Sequence, residues 1–223
     1  MAGNTERKLR FLAGFSIYFA ALWFFWDTPI AYPLKIFVVL LHEVSHGVVA
    51  LATGGSIQAI VLNPYEGGAC LCPGGNALLT LSAGYLGSLG WGVLLSAAAW
   101  SKRIRANFMV GFLGGLVVAI TALYVRSLFG ILFGVAFGMS LLWISRAFSD
   151  GLNRSILLTL GMTSTLYAIL DIKSDVLDRP HLRSDARMLS ELTGIPTLTW
   201  GVIWISVALV VTAFVFRRAY RKA

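Results

Sequence analysis

Charge is scarce in this sequence. Only 13% of its 223 residues are Asp, Glu, Lys or Arg, against 57% hydrophobic residues and a mean hydropathy of +0.78. A soluble domain carries roughly a quarter charged residues to face water, so a water-soluble globule is excluded, and so is a disordered chain. Two cysteines are too few for a disulfide-stapled secreted scaffold. The excess of 18 Lys+Arg over 10 Asp+Glu gives a formal net charge of +8. Those basic residues gather at the termini and in short gaps between apolar runs, where they orient a membrane protein rather than bind phosphate. Nucleic acid is therefore not an expected partner, whereas the lipid bilayer is.

What is present is a series of long apolar runs. Residues 67–101, 106–125, 127–145 and 192–216 contain no charged side chain, and a bilayer core needs only about 20 mostly apolar residues per helix. Further runs cover about Leu9 to Trp26, Tyr32 to Thr53 and Ser155 to Leu170. The first lacks a small-residue cleavage site at its Trp23-Phe24-Phe25-Trp26 end and reads as a retained helix. The second has Pro33 at its entry and Gly54-Gly55 beyond its exit. Residues 56–73 combine β-branched residues with Asn63-Pro64 and Gly67-Gly68 and read as a β-hairpin. The expected fold is an all-α polytopic membrane protein of about seven (six or seven) transmembrane helices, with a short hairpin after the second. It forms one integral-membrane domain over 1–223, with a core at about 32–175, a polar loop at 173–197 and a last helix at 198–216.

Orientation does not follow simply. The rule that basic loops stay cytoplasmic would place both basic termini and the Lys102, Arg103, Arg105 cluster on one side. Seven spans put the N-terminus opposite that cluster, so the topology stays open at this level.

Leu40-Leu41-His42-Glu43-Val44-Ser45-His46-Gly47 contains HExxH inside an apolar helix. Residues four apart share a helix face, so His42 and His46 can ligate one zinc ion, and Glu43 can act as general base on the water that zinc acidifies. Two imidazoles and a carboxylate inside a membrane helix cost about 2–3 kcal/mol each unless paired or ligated, which argues against an incidental motif. A purely structural polar network is the bland alternative.

Catalytic zinc takes a third protein ligand. The candidates are Asp171, which ends the apolar stretch Leu166–Leu170; Asp175, one turn later; Glu66 in the hairpin; and His181 in the polar loop. Asp171 is the expected ligand, with Asp175 as its alternative. Cys70 and Cys72 have no second pair to complete a metal site and read as structural. Gly84, Gly87 and Gly90, like Gly130, Gly134 and Gly138, read as small-residue faces for close helix packing. The hairpin edge Gln58–Leu62 is a candidate for pairing with an unwound substrate segment.

The HExxH helix, the following hairpin, the small-residue helix with Ser82-Ala83-Gly84-Tyr85-Leu86-Gly87-Ser88, the Leu166-Tyr167 to Asp171-Ile172 segment with Asp175, Ser184-Asp185-Ala186 and Trp200-Gly201-Val202-Ile203-Trp204 together resemble the site-2 protease family of intramembrane zinc metalloproteases. The resemblance is greatest to its small peptidase M50B-like branch and spans most of residues 36–210. It implies zinc (Zn2+) held by His42, His46 and an aspartate, Glu43 as base, and a membrane-protein substrate cut within or near the bilayer. The expected location is a multi-pass position in a bacterial cell membrane. A metal-binding scaffold or transporter-like protein without hydrolytic activity is the second expectation.

Overall fold

The computed structural model describes residues 2–25, 28–65, 67–178 and 183–222. In chain order the elements are α1 (Ala2–Phe24), α2 (Tyr32–Ala52), β1 (Ala59–Leu62), β2 (Gly68–Leu71), α3 (Ala77–Trp100), α4 (Ala106–Tyr124), α5 (Leu128–Ala147), α6 (Asp150–Lys173), a π-helical turn (Ser174–Asp178), α7 (Asp185–Thr193) and α8 (Thr197–Lys222). The protein is all-α and polytopic, with a two-stranded antiparallel hairpin.

Among the described residues, six helices are long and apolar enough to cross a membrane: α2, α3, α4, α5, α6 with its π-helical turn, and α8, within the six or seven expected. The apolar part of α1 among the described residues is Leu12–Leu22. Helix starts follow local chemistry. Asn76, Ser127, Ser149 and Ser184 each cap a helix by accepting from a backbone N–H three residues on. Each cap satisfies a backbone donor that the helix itself leaves unpaired. Within the expected polar loop 173–197, the described residues include a π-helical turn and α7, which starts at the Ser184 cap and stops at Gly194 with φ +74°.

Helices α3 and α6 pack antiparallel. Ser164 Oγ donates to the Ser88 carbonyl at 2.8 Å, and Gly92 and Gly161 bring backbones together. At one end of this pair, the Arg154 guanidinium donates to the carbonyls of Ala99 (3.0 Å) and Ile104 (3.1 Å), while the Asp150 carboxylate accepts from the Ala106 N–H at 2.7 Å. The end of α3 and the starts of α4 and α6 are thereby tied together. Helices α4 and α5 form a second antiparallel pair, with Gly114 against Gly138 and Gly134 against Thr121, so the Gly130–Gly138 face serves packing within the chain. Helix α2 lies deepest, with Ile36, Phe37, Val38, Leu40 and Leu41 at most 2% exposed.

The hairpin pairs Ile60 with Cys70 and Leu62 with Gly68. Its β1 edge is closed by the α4–α5 link: the Arg126 N–H donates to the Ile60 carbonyl at 3.0 Å, and the Leu62 N–H donates to Ser127 Oγ at 3.0 Å. The Gln58–Leu62 edge expected to receive substrate is therefore occupied, and the outward groups of β2 face α2 instead.

Candidate metal centre

Helix α2 brings His42, Glu43 and His46 into the protein interior, where they are 9%, 6% and 7% exposed. The two imidazoles sit one turn apart, ring centroids 4.8 Å from each other. His46 Nδ1 donates to the Thr80 carbonyl at 2.7 Å near the start of α3. A carbonyl can only accept, so in the neutral ring the lone pair lies on Nε2 and points away from α3.

The carboxylate that meets this lone pair is Asp185, from the first turn of α7. Its Oδ2 lies 3.0 Å from His42 Nε2 and 3.2 Å from His46 Nε2. One ligand atom from each of His42, His46 and Asp185 lies within 4.8 Å of the others. Burial pushes the Asp185 carboxyl up, but the facing His46 and His42 imidazoles outweigh it and hold it well below the usual carboxylate range.

Asp171, expected as the third ligand, stands on the other side of the His42 ring. Its Oδ2 is 3.5 Å from Nδ1, and that nitrogen is buried without a hydrogen bond. Asp171 lies within α6, which runs on to Lys173. Asp175 is engaged elsewhere, its Oδ2 accepting from the Tyr85 hydroxyl at 2.7 Å, while the Tyr85 ring stands edge-on to His42 at 5.5 Å. Glu66 and His181 lie outside the described residues.

The approach of α7 to α2 depends on a missing side chain. A Cβ at Gly84 would sit on His42 Nε2 and 2.6 Å from Asp185 Oδ2. Gly68 of β2 plays the same part for Glu43, since a Cβ there would come 2.6 Å from Oε1. Glu43 also accepts from the Cys70 N–H, which fixes the carboxylate against the outward edge of β2.

These groups line a cavity of about 780 Å³ bounded by α2, β2, the start of α3, the end of α6 and α7. Gly74, Ala77, Thr80 and Leu81 line it, together with residues of the hairpin and α7. Cys70 and Cys72, bonded to each other, lie on the same wall.

The donor set fits a divalent metal ion. Two imidazole nitrogens and a carboxylate oxygen converge. At His46 a lone-pair nitrogen faces an ionised oxygen at 3.2 Å, which calls for a positive charge between them, while His42 Nε2 at 3.0 Å can donate in its neutral tautomer or ligate. A proton on the His46 ring supplies that charge, and so does one cation. Asp185 is the residue that sequence reasoning missed. The available signal was the Ser184 cap followed by an amphipathic turn: Asp185 shares its buried face with Ala186 and Leu189, so burying those two carries the carboxylate inward.

Searches of curated proteins and of solved structures return no match. A family model described as "Peptidase M50B-like" matches residues 15–215, which covers α2 to α7 and both flanks of the His42–Asp185 cluster. The chain belongs to the peptidase M50B-like family, within the site-2 protease group of intramembrane metalloproteases.

Proposed function

We propose that this protein is an intramembrane zinc metalloendopeptidase that hydrolyses peptide bonds of membrane-embedded substrates. The observation that carries this reading is the convergence of His42 Nε2, His46 Nε2 and Asp185 Oδ2 beside Glu43, inside a cavity among membrane-length helices. His42, His46 and Asp185 would hold the ion. Asp171, facing His42 Nδ1, would orient that ring as an outer carboxylate rather than ligate. When bound, zinc supplies a Lewis acid that polarises the scissile carbonyl and acidifies water.

The remaining steps belong to the chain's own residues. Glu43, next to His42 and fixed by the Cys70 N–H, takes the proton of the attacking water and returns it to the leaving amine. The cavity wall at Cys72, Gly74 and Gly75, beyond β2, offers a surface on which an unwound substrate segment can lie. Water reaches Glu43 through the polar wall of the cavity at Thr80, Ser184 and Asp175, so hydrolysis does not require water to cross hydrocarbon.

Glu43→Gln tests the reading. It is expected to lower cleavage of a membrane-embedded peptide by about 100-fold or more while the purified protein keeps close to one equivalent of zinc. Undiminished cleavage removes the peptidase assignment, and zinc-free wild-type protein removes the metal assignment. A scaffold that retains metal without hydrolysis would show no difference in peptide fragments between wild type and Glu43→Gln.

A further inference from the structure

The fold places the site and the basic residues at opposite ends. Helix α3 begins beside Thr80, which holds His46, and ends at Ser101, where Lys102, Arg103 and Arg105 follow. At about 1.5 Å per residue, its 24 residues span about 36 Å, the full depth of a bilayer core. Helix α6 runs the other way, from Arg154 at the basic end to Asp171 and Asp175 at the site. Helix α8 starts with Gly201 against Val176 of the π-helical turn and ends in Arg217, Arg218 and Arg221. Lys8 of α1 stands 5.4 Å over the Tyr220 ring, which adds the N-terminal basic segment to the same end.

The described cations at the site end are fewer: Arg183 lines the cavity, and the others are engaged locally. Lys173 pairs with Asp178, Arg187 pairs with Glu191, and Arg126 donates to the Val125 and Leu123 carbonyls. Lys and Arg in short loops and near helix ends set the orientation of a polytopic protein, with the richer side cytoplasmic. A second observation points the same way: Cys70 and Cys72 are joined at the site end, and disulfides persist in compartments outside the reducing cytosol.

We infer that the hydrolytic site opens on the non-cytoplasmic face of the membrane, so that its substrates are membrane-protein segments whose scissile bond lies in the half of the bilayer away from the cytoplasm. This rests on the metallopeptidase reading for the substrate, while the orientation stands on charge and fold alone. The arrangement also removes the conflict of the seven-span count, because the N-terminal cations, the 102–105 cluster and the C-terminal tail share one side.

The test is thiol accessibility in intact bacterial spheroplasts expressing the full chain, with Cys70 and Cys72 replaced by alanine and a single cysteine introduced. Glu191→Cys on exposed α7 is expected to react with a membrane-impermeant maleimide in intact cells, and Arg103→Cys only after permeabilisation. The reverse pattern overturns the inference, as does labelling of both, or of neither, before permeabilisation. In the unsubstituted chain, Cys70 and Cys72 are expected to become labelled in intact cells once an impermeant reductant is added outside; labelling that needs permeabilisation counts against it. Because labelling does not require activity, an inactive protein with the expected pattern would sink the peptidase reading and leave the orientation standing.

Discussion

Helices α2 and α8 are both long enough to cross a membrane, yet they meet different surroundings. The most apolar span of α8 has a mean hydropathy of 2.2 and only 17% of it is buried within the protein, whereas that of α2 has 1.7 and is 72% buried. Helix α8 is apolar because most of its surface meets lipid. Helix α2 is enclosed by the hairpin, α3, α6 and α7, and that enclosure lets it carry two imidazoles and a carboxylate at membrane depth. Hydropathy thus locates membrane helices, while enclosure by protein locates chemistry.

The comparison breaks most readily at the groups that enclose α2. Asp185→Ala is expected to remove stoichiometric zinc and cleavage together, as judged by metal analysis of purified protein. Gly84→Ala comes next. Its methyl would occupy the space in which His42 meets Asp185, so α7 must move away; zinc binding is expected to fall by more than 10-fold with most helicity kept in circular dichroism. A Gly84→Ala protein that binds zinc normally would show that Gly84 is not what permits the approach. Asp171→Asn should weaken zinc binding by about 10- to 100-fold, the usual effect of removing an outer carboxylate from a ligating histidine. If Asp171→Asn empties the site while Asp185→Ala does not, the two aspartates exchange roles.

Most of the scaffold was legible because a bilayer imposes one rule on each helix. Charge-free runs located α3, α4, α5 and α8, and Pro33 with Gly54 bracketed α2. His42, Glu43 and His46 were legible because a helix alone brings i and i+4 together. The third carboxylate was not, since no local period connects Asp185 to His42: they meet only after α6 has crossed, turned and handed the chain to α7. The same holds for the hairpin, whose strands have a local signature while the closing of β1 by Arg126 and Ser127 depends on a link more than sixty residues later. The start of α6 was read too late, at Ser155, because Asp150 and Arg154 look like loop residues until their mutual pairing and the carbonyls of α3 are seen.

A smaller effect is expected where the site is supported rather than built. Tyr85→Phe removes the donor at 2.7 Å from Asp175 without changing the ring that stands against His42. Losing a hydrogen bond to a half-buried charged group costs about 1–3 kcal/mol, so cleavage should fall by about 10-fold while zinc stays bound. Recovery of wild-type rates in Tyr85→Phe would confine the tyrosine to packing.

The smallest effect tests α8 where Gly201 packs against the π-helical turn. Gly201 packs on Val176 of the π-helical turn, and a Cβ there would stand 2.7 Å from its side chain. Val176 is buried between Asp175 and the rest of that turn, so Gly201→Ala should press on the segment that follows Asp171 without reaching any ligand atom. Overpacking of this kind costs about 1–3 kcal/mol. The thermal midpoint is therefore expected to drop with zinc content unchanged and cleavage reduced less than 10-fold, whereas Val210→Ala on the 70% exposed face of the same helix should change none of the three. Equal effects from the two substitutions would mean that α8 acts on the site as a whole helix, and the contrast with α2 would then rest on position along the helix rather than on enclosure.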